Sequence, residues 1–196
     1  MRLSQETKMV YLLVPILLLH AAALPADTGS YSLLQIEDGD TLVVELGSRP
    51  ARVQLLGIDA PEDIANPKLI KDAERTGISQ DLLLDLGRQA TRHLQLLIGS
   101  AAVVKVEGDL KSTDKYGRVP VVVTLPGEKI SLNSSMVQQG YAIALGSSSI
   151  GNGDQSELLR LEEQARNNQT GLWQSNPELM QAWSGRSIGT RHDLQN

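Results

Sequence analysis

The chain contains no cysteine and no phenylalanine, and aromatic residues make up only 3% of it. Without thiols no disulfide can hold the fold, and thiolate metal sites and cysteine nucleophiles are excluded. Without phenylalanine the core has to be built from Leu, Val, Ile and Ala. Positive charge is scarce as well: 18 Lys and Arg stand against 23 Asp and Glu, a formal net charge of -5. A chain of that balance has no global attraction for nucleic acid, so contact with phosphate needs a local positive field or a bound metal. His93 has no second histidine at metal-ligand spacing and reads as a surface or packing residue.

The length, 196 residues, suits one ordinary domain. Arg2 and Lys8 precede an apolar run, Met9–Leu19, and small residues follow it, so residues 1–26 read as a secretory signal segment cleaved after Ala23 or Ala26. The expected location is therefore secreted or periplasmic, with a membrane anchor through an uncleaved segment as the alternative. A cleaved segment leaves no stable membrane insertion, and a monomer is expected. Asn133-Ser134-Ser135 and Asn168-Gln169-Thr170 match the glycosylation acceptor pattern.

Two β-prone runs, Leu42–Leu46 and Ala51–Ile58, flank Gly47-Ser48-Arg49-Pro50, the turn of a hairpin. Pairing about position 49 brings Asp40 to the same end as Asp59 and Glu62. Three carboxylates held together repel, and a bound cation relieves them; an oxygen-liganded ion such as calcium or magnesium fits. Pro61 restricts Ala60 to extended geometry and so fixes where its carbonyl points. A solvated hairpin end accounts for the same Gly and Asp residues.

Tyr31–Ile36 reads as a preceding strand. Asp63–Asp81 is polar, contains Pro67 and Gly77, and reads as a long loop with at most a helical turn at Leu69–Arg75. Leu82–Ile98 has the apolar spacing of a one-sided helix. Ala101–Glu107 and Val119–Leu125 are strands, and Glu128–Leu132 a short final one. The turn between the first two carries Lys115, Tyr116 and Arg118, and Arg118 can clamp a phosphate. Asn133 and Ser134 can cap a helix ending at Gly140, and Ser156–Asn167 forms another. Trp173 is a core plug, and residues 175–196 are a polar, extended tail. Many short strands of irregular length point to a small curved barrel.

Asp38-Gly39-Asp40-Thr41, Leu56-Gly57-Ile58-Asp59-Ala60-Pro61-Glu62, Asp114-Lys115-Tyr116-Gly117-Arg118, Leu132-Asn133 with Gln139-Gly140, and Gly171-Leu172-Trp173 together resemble the staphylococcal nuclease family over residues 31–174. The resemblance implies an α+β fold, a five-stranded oligonucleotide-binding barrel with three helices. It also implies Ca2+-dependent hydrolysis of DNA and RNA that leaves 3′-phosphate ends. Asp40, Asp59 and the Ala60 carbonyl would be calcium ligands, and Glu62 the base for the attacking water. Arg118 would contact the scissile phosphate, and Lys115 and Tyr116 the terminal phosphate or flanking sugar.

Three features depart from the family pattern. Gln54 stands where the family's first catalytic arginine is found, with Arg52 about 7 Å farther along the same strand face as its nearest substitute. Gly146 and Ser148 stand where some members place an aromatic platform. The 63–81 stretch is long. These departures keep a second reading open: a catalytically weak or inactive barrel that binds nucleic acid or protein.

Overall fold

The computed structural model describes residues 27–146 and 152–187; the expected signal segment and Ser148 lie outside the described residues. In chain order the strands are β1 (Asp27–Ile36), β2 (Thr41–Leu46), β3 (Arg49–Leu55), β4 (Ile58–Asp59), β5 (Val103–Gly108), β6 (Val119–Thr124) and β7 (Ile143–Ala144). The helices are α1 (Pro67–Thr76), α2 (Gln80–Ile98), α3 (Leu132–Gln138), α4 (Asn152–Asn167), α5 (Leu172–Ser175) and α6 (Pro177–Ser184).

Five strands close into a barrel in the order β1-β2-β3-β6-β5, the expected α+β architecture. Neighbours are antiparallel except β3 and β6, which run parallel. Alternation sorts the side chains: Val104 and Val106 are buried while Val103 and Lys105 are exposed. Leu42, Val44, Val53, Leu55, Val121 and Val123 complete a mainly aliphatic interior, against which Tyr31 packs. Closure leaves the barrel strands without open edges.

The expected helix after position 82 is α2, which buries Leu83, Leu86, Ala90, Leu94 and Ile98. The other two expected helices are α3 and α4, and three further ones are present among the described residues. The stretch expected to be a loop contains α1, ten residues long. Asn66 caps it by accepting from the backbone N–H of Lys68 and Leu69, Pro67 opens it, and Gly77 ends it in the left-handed conformation. The expected extended tail contains α6, whose Met180 and Trp183 are buried. Trp173 is fully buried, as a core plug requires, and shares a second apolar cluster with Leu69, Leu86, Met180 and Trp183.

No strand forms at Glu128–Leu132. The cap of α3 is Ser131, which accepts from the Ser134 N–H at 3.1 Å, and not Asn133. Asn133 is buried instead: it accepts from the Val123 N–H and donates to the Leu56 and Val121 carbonyls. A side chain so engaged is no glycan acceptor. Among the described residues no helix is long and apolar enough to cross a membrane.

Candidate active site

β2 and β3 pair with Leu46 opposite Arg49 and Thr41 opposite Gln54. Gly47-Ser48 is therefore the whole turn, and the pairing centre lies before position 49. In this register the backbone of Asp40 lies beside Leu55, whose N–H donates to the Asp40 carbonyl at 2.8 Å. The chain then reverses at Leu56-Gly57 and returns as β4, which pairs with β7. Asn133 holds the reversal through the Leu56 carbonyl, at 3.0 Å. The return brings Ala60 onto Asp40, with the Ala60 N–H 3.1 Å from Asp40 Oδ2. Asp40 and Asp59 meet, as the sequence implies, but through this second turn and not through the hairpin alone.

α2 is the floor under the acidic loop. A Cβ added at Gly87 would lie 2.1 Å from the Glu62 carbonyl oxygen, so only glycine lets Glu62 approach the helix so closely. Thr91 on the same helix donates to Asp63 at 2.7 Å.

Arg118 is set by its own turn. Asp114 Oδ1 accepts from the N–H groups of Tyr116 and Arg118, and Asp114 Oδ2 accepts from Arg118 Nε at 2.9 Å. The guanidinium then reaches the Thr41 hydroxyl at 3.3 Å and stands 3.7 Å from Asp40 Oδ1. Thr41 in turn donates to Asp40 at 2.9 Å. Tyr116 is 57% exposed, with Lys115 Nζ 4.9 Å and Arg118 5.3 Å from its ring. The two residues expected to meet substrate thus lie on solvent beside Arg118.

Arg52 does not join this group. Val43 stands between strands opposite it, its guanidinium pairs with Glu37, and it reaches the Tyr116 carbonyl at 3.4 Å. Gln54 stands across from Thr41 on the strand face that carries Arg118's contacts. No side chain among these supplies the second guanidinium.

Three contributors were not anticipated. Lys68, on the first turn of α1, places its ammonium 3.4 Å from Asp59, 3.1 Å from Glu62 and 3.2 Å from Asp72. Asn66, which caps that helix with its oxygen, donates its amide N–H to Glu62. The third is Asp38, whose Oδ1 accepts from the Asp40 N–H at 3.0 Å. Burial, and then the charge of Asp40, push the Asp38 carboxyl up to about 7. Burial, and then the charge of Asp59, push Asp40 up to about 6. Asp59 is pushed up to about 6 by burial, against the opposing pull of Lys68. Lys68 itself is held above the ordinary lysine value: the surrounding acids outweigh its burial.

The donor set is oxygen alone, and its acids repel one another, which suits a hard cation. Among the described residues, however, no group of three or more acidic or histidine side chains is arranged to hold a metal ion. Lys68, the Ala60 N–H and Thr41 occupy oxygens that a metal would need.

Residues 52–175 match the family described as Staphylococcal nuclease homologue. The chain is 33% identical over 163 residues to "Protein ParB" of Escherichia coli, covering 79% of this chain and 77% of that protein. It is 29% identical over 161 residues to "Micrococcal nuclease" of Shigella flexneri, covering 79% and 78%. It is 26% identical over 115 residues to "Thermonuclease" of Staphylococcus intermedius, covering 59% of each. With the match spanning the strand that carries Gln54, the acidic loop, the Arg118 turn and the helices beneath them, the chain belongs to the staphylococcal nuclease homologue family.

Proposed function

We propose that the chain is a calcium-dependent nuclease that hydrolyses phosphodiester bonds of DNA and RNA and leaves 3′-phosphate ends. The observation that carries the reading is the convergence of Asp40, Asp59, Ala60 and Arg118: Ala60 bonds to Asp40, and Arg118 stands 3.7 Å from it. The names of two relatives, "Micrococcal nuclease" and "Thermonuclease", support the same reaction class.

Asp40, Asp59 and the Ala60 carbonyl would hold the ion. When bound, calcium would draw in the phosphate that the chain's net charge repels and polarise it toward attack. Glu62, on the loop that α2 supports, takes the proton of the attacking water. Arg118, already aimed by Asp114, donates to the phosphoryl oxygens as charge builds and the bond to the 5′ oxygen breaks. Lys115 and Tyr116 bind the neighbouring phosphate and sugar from the solvent side. Gln54 supplies a neutral donor where a second guanidinium would add charge, so the rate is lower than that of a site with both. We assign a monomer acting outside the cytoplasm.

A second reading, a nucleic-acid-binding barrel with little catalysis, is favoured by Gln54 and by the engagement of Arg52 with Glu37. End analysis of DNA and RNA digests separates the two. Products with 3′-phosphate and 5′-hydroxyl ends are expected. Retention of nucleic acid without cleavage would overturn the nuclease reading, and products with 5′-phosphate ends would overturn the assignment of the bond that breaks.

A further inference from the structure

Lys68 is a cation set among the acids that the calcium reading requires. Its ammonium lies within 3.4 Å of both Asp59, a proposed metal ligand, and Glu62, the proposed base. Calcium binds carboxylate oxygens at about 2.3–2.6 Å, so an ion on Asp59 would stand close to the ammonium and repel it. The side chain has a second place to go. Asp72, one turn along α1, is already 3.2 Å from Nζ, and the Trp183 ring is 5.6 Å away. Asp72 Oδ2, the oxygen that faces Lys68, also accepts from the Trp183 indole N–H at 3.2 Å, while Arg75 binds both Asp72 Oδ1 and the Trp183 carbonyl, each at 2.8 Å. That resting place belongs partly to α6, which lies beyond the end of the family match at residue 175.

We propose that Lys68 is a built-in counter-cation that holds Asp59 and Glu62 together in the metal-free protein and withdraws onto Asp72 and Trp183 when a divalent cation binds. The proposal rests on the calcium reading above. It makes α1 and α6 regulators of metal affinity: the lysine competes with the metal for Asp59, and the tryptophan stabilises the lysine once displaced.

The test is calorimetric titration of calcium into the full chain and its variants, without nucleic acid. Lys68→Met is expected to tighten calcium binding roughly tenfold, because a competing positive charge is removed. It is also expected to lower the melting temperature of the metal-free protein, with calcium restoring it. Lys68→Arg keeps the charge and should bind calcium near the wild-type affinity. Trp183→Phe, which loses the N–H to Asp72 but keeps a ring, should weaken binding about threefold in the wild type and not at all in Lys68→Met. Unchanged or weaker calcium binding in Lys68→Met, in protein that melts cooperatively, would overturn the proposal while leaving the nuclease reading intact. An equal Trp183→Phe effect in both backgrounds would overturn the part assigned to α6. Absence of calcium binding in both wild type and Lys68→Met at about 10 mM would overturn the calcium reading itself and this inference with it.

Discussion

Arg118 and Lys68 both meet the acidic group, Arg118 at Asp40 and Lys68 at Asp59 and Glu62, yet they are held by different kinds of structure. The Arg118 side is local. Asp114 closes the turn on itself, and the guanidinium is aimed by a residue four positions away. The Lys68 side is assembled from distant parts: Asp59 on β4, Glu62 on the following loop, Asp72 on α1 and Trp183 on α6. A locally built wall keeps its geometry when the rest of the chain varies. A wall built from four segments gives the protein a means of adjusting the acidic group without touching the arginine.

The largest effects should come from the residues assigned to the reaction. Arg118→Ala should lower the cleavage rate by about 10²–10³, as expected for loss of a charged donor to the transition state. Glu62→Gln should slow cleavage by about 10²–10⁴ while calcium still binds, which single-turnover kinetics and titration together would show. Comparable loss in Lys68→Met would erase the contrast between the two cations, because that variant should retain turnover at saturating calcium.

A steric test comes next. Gly87→Ala puts a Cβ 2.1 Å from the Glu62 carbonyl oxygen. It should cost about 1–3 kcal/mol of stability in chemical denaturation and displace Glu62, so that cleavage falls with it. An unchanged denaturation midpoint would show that α2 is not the floor under the acidic loop. Gln54→Arg should raise the cleavage rate roughly tenfold, a fraction of the full value of an oriented charged donor, because Thr41 opposite it already meets Arg118. Unchanged activity would count against the placement of that position beside the phosphate.

The last test is of pH. Asp38, Asp40 and Asp59 are pushed up, to about 7, 6 and 6, by burial first. The folded metal-free protein therefore binds more protons than the unfolded chain between the ordinary value, 3.8, and about 7. These three contribute stability below that window and lose it as pH rises through 6 to 7. Asp72 and Asp114 are held low, so their contribution is present above 3.8 and lost in acid. Thermal melting in chelator should thus show a maximum near pH 4 and a decline toward neutrality, and calcium should remove the decline. A flat profile from pH 4 to 8 would contradict the burial of these acids together.

What could be read in the sequence follows the same division. The barrel strands alternate, and the Asp114–Arg118 turn is closed by neighbours, so both are written over short spans. The meeting of Asp40 with Asp59 was legible as a consequence of the hairpin, although the turn at Leu56-Gly57 and the buried amide of Asn133 complete it. α1 and α6 were missed because both are short, ten and eight residues, so a periodic pattern spans only two or three turns. Their ends nonetheless carry the same punctuation: Asn66-Pro67 with Gly77, and Asn176-Pro177 with Gly185. Lys68 was missed with its helix, since its contacts with Asp59 and Glu62 depend on where α1 docks. Asp38 lay within the acidic motif, but only its bond to the Asp40 N–H, against the acidic group, distinguishes it from an ordinary turn residue.

The measurement that bears most directly on the whole account is the initial rate of DNA and RNA cleavage by the wild-type chain in millimolar calcium, beside the same reaction with calcium chelated. Cleavage that chelation abolishes and calcium restores is the expected result. Cleavage at an equal rate in chelator, or none at high enzyme concentration in calcium, would contradict it.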